Sequence, residues 1–243
     1  MSTPAASTDG PAAARPGMPV AVRVAGIFGS ILAAVGVVAL IVVLNVKYGS
    51  LARPTNPLAP DVTVSGLKLP GFTLTDQDGR PFTRDRLSGQ VTIVDFMFTN
   101  CPFICPLLSA RMVQAGEQLA GTPVRFLSVS VDPTHDTPAR LREYGERYRA
   151  NFSRWTFATG DAATVKRIVS DSLKFNLEDE PQTPITLPDG STMSNISHPQ
   201  HLVLVGPSGE VLGMYAAKDD AQVAALIDRA RRAADEVARR RGL

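Results

Sequence analysis

Apolar positions follow two regimes along the chain. From Val24 to Val46, VAGIFGSILAAVGVVALIVVLNV runs 23 residues without a charge, bounded by Arg23 and Lys47. At about 1.5 Å per residue a helix of that length spans roughly 34 Å, enough to cross a ~30 Å hydrocarbon layer with some tilt. A core helix is seldom apolar on every face for so long. A cleavable signal segment has a shorter apolar stretch ending in small residues, whereas this one ends in IVVLNVKYG. The pattern predicts an uncleaved transmembrane anchor at 24–46. A Pro-, Ala- and Ser-rich flexible tail precedes it at 1–23, and a tether containing Pro54, Pro57 and Pro60 follows at 47–60. Arg15 and Arg23 on one flank balance Lys47 and Arg53 on the other, so the charges alone do not orient the anchor.

The second regime, at 61–243, is a succession of short apolar runs with changing period. GFTLTDQDGRPFT reads as a hairpin turning at Asp78-Gly79. VTIVDFMF and VRFLSVSVD are almost continuously apolar, as expected of strands covered on both faces. Between them, Leu108, Met112, Ala115 and Leu119 recur at helical spacing, with Gly121 as a stop. Asp136-Thr137-Pro138 opens a helix carrying Leu141, Tyr144 and Tyr148 on one face. WTFATG predicts another strand, and Asp161 caps a helix with Val165, Ile168 and Val169 inward. Residues 176–197 read as a loop-rich insertion with a hairpin at Pro188-Asp189-Gly190. HLVLVGPSGEVLGMYAA is a second hairpin, and 219–240 a final amphipathic helix striped by Val223, Leu226, Ile227, Ala230 and Val237. Strand and helix alternate and then give way to an antiparallel hairpin and a helix. That order predicts an α/β, thioredoxin-like mixed sheet flanked by helices, with a strand-helix and a hairpin inserted in the middle.

Charge narrows the function only by exclusion. With 25 basic and 23 acidic residues the net charge is +2, which makes no electrostatic case for binding nucleic acid. The basic end of RRAADEVARRRGL complements a helix C-terminus and reads as a solvated face.

The two cysteines carry the chemistry. Cys101 and Cys105 are the only ones in the chain, and each is followed by proline. They fall where a buried strand ends and a helix begins, so free amides and the helix dipole favour thiolate over thiol. Pro102 and Pro106 confine the pair to the loop and first turn, where missing amide donors cost little. A stabilising disulfide closing so short a loop gains little. A redox pair or a metal pair remains.

Three histidines could supply a further ligand. His135, in the polar turn DPTHDTP, reads as a surface residue. His198 closes the loop before the C-terminal hairpin, which in a thioredoxin-like order faces the end of the sheet carrying the cysteines. His201 falls three residues later, and strand alternation turns it to the opposite face if both are extended. Two thiolates and one imidazole suit copper, Cu(I) above all, before a hard cation, whereas a closed structural zinc site wants a fourth ligand. Met97, Met112 and Trp155 read as core residues.

VDFMFTNCPFICP, SVDPTHDTP and HPQHLVLVGPSGEVLGMY together resemble the Sco/SenC family of thioredoxin-like copper proteins, over roughly residues 66 to 240. The resemblance implies that Cys101, Cys105 and His198 ligate copper, Cu(I) or Cu(II). It implies that the protein delivers the metal to the dinuclear copper site of cytochrome c oxidase subunit II. It further implies an inner-membrane anchor with the tail inside and the domain in the periplasm, where other copper carriers and thiol reductants are possible partners. Ser197 and Pro199 stand where the family commonly has an acidic and a small hydroxyl residue, so the support of the histidine differs. Asp132 and Asp136 match acidic positions of the family, although helix capping and turn formation account for them equally. Some members instead reduce the cysteines of the oxidase site. A thiol-disulfide oxidoreductase acting through the redox-active pair Cys101 and Cys105 is therefore the alternative. A thioredoxin-like peroxidase, using Thr99 and Arg111 around Cys101, is a third reading that leaves Cys105 without a role.

Overall fold

The computed structural model describes residues 35–40, 43, 56–187 and 189–242. The chain divides into two units, Met1–Ala52 and Arg53–Leu243. In the first, residues 35–40 and 43 are helical and exposed. The remainder of the predicted anchor, the tail and the tether up to residue 55 lie outside the described residues. Among the described residues, no helix is long and apolar enough to cross a membrane.

In the second unit, β1 (Thr73–Asp76) and β2 (Pro81–Thr83) form the first predicted hairpin. Asp76 Oδ1 accepts the amides of Asp78 and Arg80, and Gly79 adopts the left-handed conformation that the turn needs, at φ +75°. Next comes β3 (Thr92–Met97), with all six residues buried, then α1 (Cys105–Gln118) and the buried β4 (Arg125–Ser130). Helix α2 (Pro138–Arg147) starts as its sequence dictates: Thr137 caps it, its side chain accepting the Arg140 amide, with Pro138 in the first turn. After β5 (Trp155–Thr159), Asp161 caps the short α3 (Ala162–Lys166), which continues as a wider turn over Arg167–Ser172. Strands β6 (Glu178–Thr186) and β7 (Thr192–Ser197), then β8 (His201–Val205) and β9 (Val211–Ala216), precede α4 (Asp220–Arg240).

Seven strands form one sheet in the order β2-β1-β5-β4-β3-β8-β9. β3, β4 and β5 are parallel, as helical crossovers require, and the hairpins add antiparallel strands on both sides. The mixed, helix-flanked sheet expected from the alternation of periods is thus what forms. Met97 and Met112 are fully buried, and Trp155 packs on Phe157 while donating Nε1–H to Ser128.

Residues 176–197 are more regular than their composition predicts. β6 and β7 make a separate two-stranded sheet, its register shifting between Glu180 and Ile185. Pro181 and Pro184 lie inside that shift, where a residue without an amide donor does least harm to a ladder. β6 is largely exposed, with Ile185 its one buried residue, and β7 is half-buried beyond its first position. No apolar face marks them as strands in sequence.

Candidate metal centre

The site is built at the end of β3. Beyond Met97 the chain turns, Cys101 N–H donating to the Phe98 carbonyl at 3.2 Å, and Cys105 becomes the first residue of α1. The Phe98 amide points at Cys105 Sγ from 3.5 Å. Both prolines lie in the loop and first turn, as their missing amides demand. From the other side of the fold, β8 pairs with β3 through Val94 and Val203, and the loop leading into β8 is drawn over the cysteines. His198 Nε2 lies 3.4 Å from Cys105 Sγ and 4.0 Å from Cys101 Sγ. All three donor atoms lie within 4.8 Å of one another and all three residues are buried.

The donor set fits a soft ion. Bonds of about 2.0–2.3 Å place the donors of a three-coordinate metal roughly 3.5–4 Å apart, close to the spacing of His198 Nε2 from each sulfur. The cysteines are free thiols, so both sulfurs are available. Cys101 is drawn down to about 4, chiefly by the hydrogen bond from Cys105 and, less, by His198. Cys105 is pushed well up by burial and then by the neighbouring Cys101. Sequence position alone favours thiolate at both. Only Cys101 behaves so, because burial at the first helical position outweighs the dipole for Cys105.

Two buried carboxylates stand near the pair: Asp136, which matches an acidic position of the family, holds the cysteine loop, and Asp95, which no motif marks as a site residue, lies beneath it. Asp136 accepts the Thr99 amide, the Thr99 hydroxyl at 2.5 Å and the Ser130 hydroxyl at 2.6 Å, tying the start of the cysteine loop to the turn after β4. Burial raises its pKa. Asp95, in the middle of β3, is fully buried, and neither carboxylate oxygen has a hydrogen-bond partner among the described residues. Burial pushes it up to about 7, an effect that Ser128 and, less, the His198 ring partly offset. One acidic residue inside the run VTIVDFMF is the sequence signal that could have found it.

His198 lacks the usual orienting hydrogen bond. Its Nδ1 is buried without a partner among the described residues, and the Phe98 ring packs edge-on at 5.6 Å. The absence of an acidic residue at 197 has this counterpart in the structure. His201 stacks on Phe175 and His135 Nδ1 lies 2.8 Å from Asp132, so neither joins the cluster. Arg111 is bound to Ala217, Gln114 and Asp220, and the Thr99 hydroxyl to Asp136, which leaves both peroxidase candidates engaged elsewhere. A cleft of about 390 Å³ opens beside Cys101 and His198, lined also by Ile196, Glu180 and Lys218 and by Phe103, which is 62% exposed.

The SCO1/SenC family model matches residues 64–233. A putative copper-binding protein of Stutzerimonas stutzeri is 33% identical over 181 residues, covering 72% of this chain and 83% of that one. The solved structure of BsSco, described with a disulfide switch and as a member of the Sco family of cytochrome c oxidase assembly proteins, superposes with a TM-score of 0.60 at 29% identity. It covers 72% of this chain and 97% of its own. Yeast Sco1 with copper bound gives 0.54 at 25% identity, over 65% and 84%. With residues 64–233 matched and the fold shared, the chain belongs to the SCO1/SenC family and has its thioredoxin-like fold.

Proposed function

We propose that this protein binds copper through Cys101, Cys105 and His198 and delivers it to the dinuclear copper site of cytochrome c oxidase subunit II. The observation that carries the reading is the buried cluster of two thiols and one imidazole at the mouth of a cleft. Copper bound in the structure of yeast Sco1 and oxidase assembly by the Sco family support it. The chain's own chemistry follows from its protonation states. Cys101 offers a thiolate at neutral pH, Cys105 gives up its proton as the metal enters, and His198 Nε2 completes the set. Residues 24–46 anchor the domain 61–243 to the inner membrane through the tether 47–60, with the domain in the periplasm. The 23-residue uncharged run supports the anchor, and the family resemblance supports its orientation.

A second reading rests on one specific observation, the low-pKa Cys101 beside a protonated Cys105. Cys101 would attack a partner disulfide, and Cys105 would release the mixed disulfide. Two electrons and two protons would then pass to the partner as the pair oxidises. The two readings separate in one experiment. Copper-loaded chain is mixed with the subunit II copper domain, and transfer is followed spectroscopically for wild type and His198→Ala. Delivery predicts transfer that is lost in the variant. Failure of wild type to transfer, while both proteins reduce the oxidised domain equally, selects the oxidoreductase.

A further inference from the structure

Arg229, in the middle of α4, is 2% exposed, which for a guanidinium requires partners on every side. It finds them in the segment that enters the domain. Nε donates to the Pro57 carbonyl at 3.3 Å, Nη2 to the Ala59 carbonyl at 2.5 Å, and Nη1 to Asp61 Oδ1 at 2.8 Å and to the Tyr215 hydroxyl at 3.1 Å. The same segment runs along β9, the outermost strand of the sheet. Asp61 N–H donates to the Leu212 carbonyl, Val211 N–H to Leu67 and Leu69 N–H to Gly209, with Lys68 bridged to Glu210. Gly213 makes room for this arrangement: a β-carbon there would lie 2.8 Å from both Asp61 Oδ2 and the Tyr215 hydroxyl.

An outer strand presents unpaired amides and carbonyls that template the addition of another strand. Here residues 57–69 occupy part of that edge, with Leu58 packed partly against the core and Val64 and Leu69 buried, while the stretch between them is open, Val62 being 94% exposed. The buried cation ties down the polar stretch between these apolar anchors. We propose that residues 57–69 are a strap that Arg229 locks over the edge of β9, and that the lock keeps this edge from pairing with a second copy of the chain. The inference stands on these contacts and does not depend on the copper reading.

The test uses the full chain in detergent micelles, comparing wild type with Arg229→Met and with Asp61→Ala. The second variant keeps the guanidinium bonded to Pro57, Ala59 and Tyr215, so it decides the matter if Arg229→Met fails to fold. Amide exchange of Asp61, Leu69 and Val211 is expected to rise about tenfold or more while interior amides of β3 and β4 stay protected. Sedimentation should then show self-association that grows with concentration and is absent in wild type. Unchanged exchange at these amides, or released amides with no gain in self-association, overturns the proposal.

Discussion

Cys105 Sγ and His198 Nε2 lie 3.4 Å apart although 93 residues separate them in sequence. Two features of the fold close that distance. β3 delivers the cysteine loop at its end, and β8 pairs antiparallel with β3, so the residues just before β8 meet those just after β3. Between them runs most of the domain, including the β6–β7 hairpin whose second strand ends at Ser197, next to the histidine. The consequences reach from thiol chemistry to global stability.

The two thiols should differ sharply in reactivity. Cys101, held at about 4 by the hydrogen bond from Cys105, is thiolate at neutral pH. Cys105, pushed up by burial, is not. Iodoacetamide under reducing conditions at pH 6 is expected to modify Cys101 first, as read by peptide mass spectrometry. The rate should fall as pH drops through about 4. Equal labelling of both residues would contradict the assignment.

Asp95 makes stability depend on pH with a definite sign. Its folded pKa, about 7, lies above the ordinary value of 3.8. The folded state therefore binds the proton more tightly than the unfolded one. Its share of stability is complete below pH 3.8 and is lost as pH rises through 7. Asp95→Asn removes that dependence. Urea unfolding should find the variant more stable than wild type at pH 8, by roughly 2–4 kcal/mol, and nearly equal at pH 4. A variant less stable at pH 8 would show that the carboxylate is held by partners the geometry does not contain.

Asp136 should matter to both stability and metal binding. Asp136→Ala leaves the Thr99 amide and hydroxyl and the Ser130 hydroxyl without their acceptor. A loss of about 2–3 kcal/mol is expected in thermal or urea unfolding. Because Thr99 stands two residues before Cys101, copper affinity should fall as well. Unchanged affinity would mean that the Thr99–Asp136 contact does not place the sulfurs.

Much of this was legible in sequence because local chemistry and tertiary structure agree. The caps at Thr137 and Asp161, the turn at Asp78-Gly79 and the continuous apolar runs of β3 and β4 each announce an element that forms. The convergence of Cys101, Cys105 and His198 could be read from element order and family resemblance together. What escaped the reading has no local signature. The hairpin at Pro188-Asp189-Gly190 is legible, but not the reach of its arms: β6 is exposed along nearly its whole length and β7 is half-buried without alternation, so no period of two stands out, and the prolines of β6 argue against a strand. The opposite protonation of two cysteines four residues apart depends on burial and on their mutual contact, which no spacing encodes. Asp136 looks like a turn residue because it is one; only the fold brings Thr99 to it.

The most direct test of the account is a competitive Cu(I) titration of the reduced, purified chain against a chromophoric chelator, for wild type, His198→Ala and Cys105→Ala. The account predicts one tightly bound equivalent in wild type, affinity lower by about tenfold or more in His198→Ala, and loss of tight binding in Cys105→Ala. Wild-type affinity retained in either variant would show that the three side chains do not form the copper site.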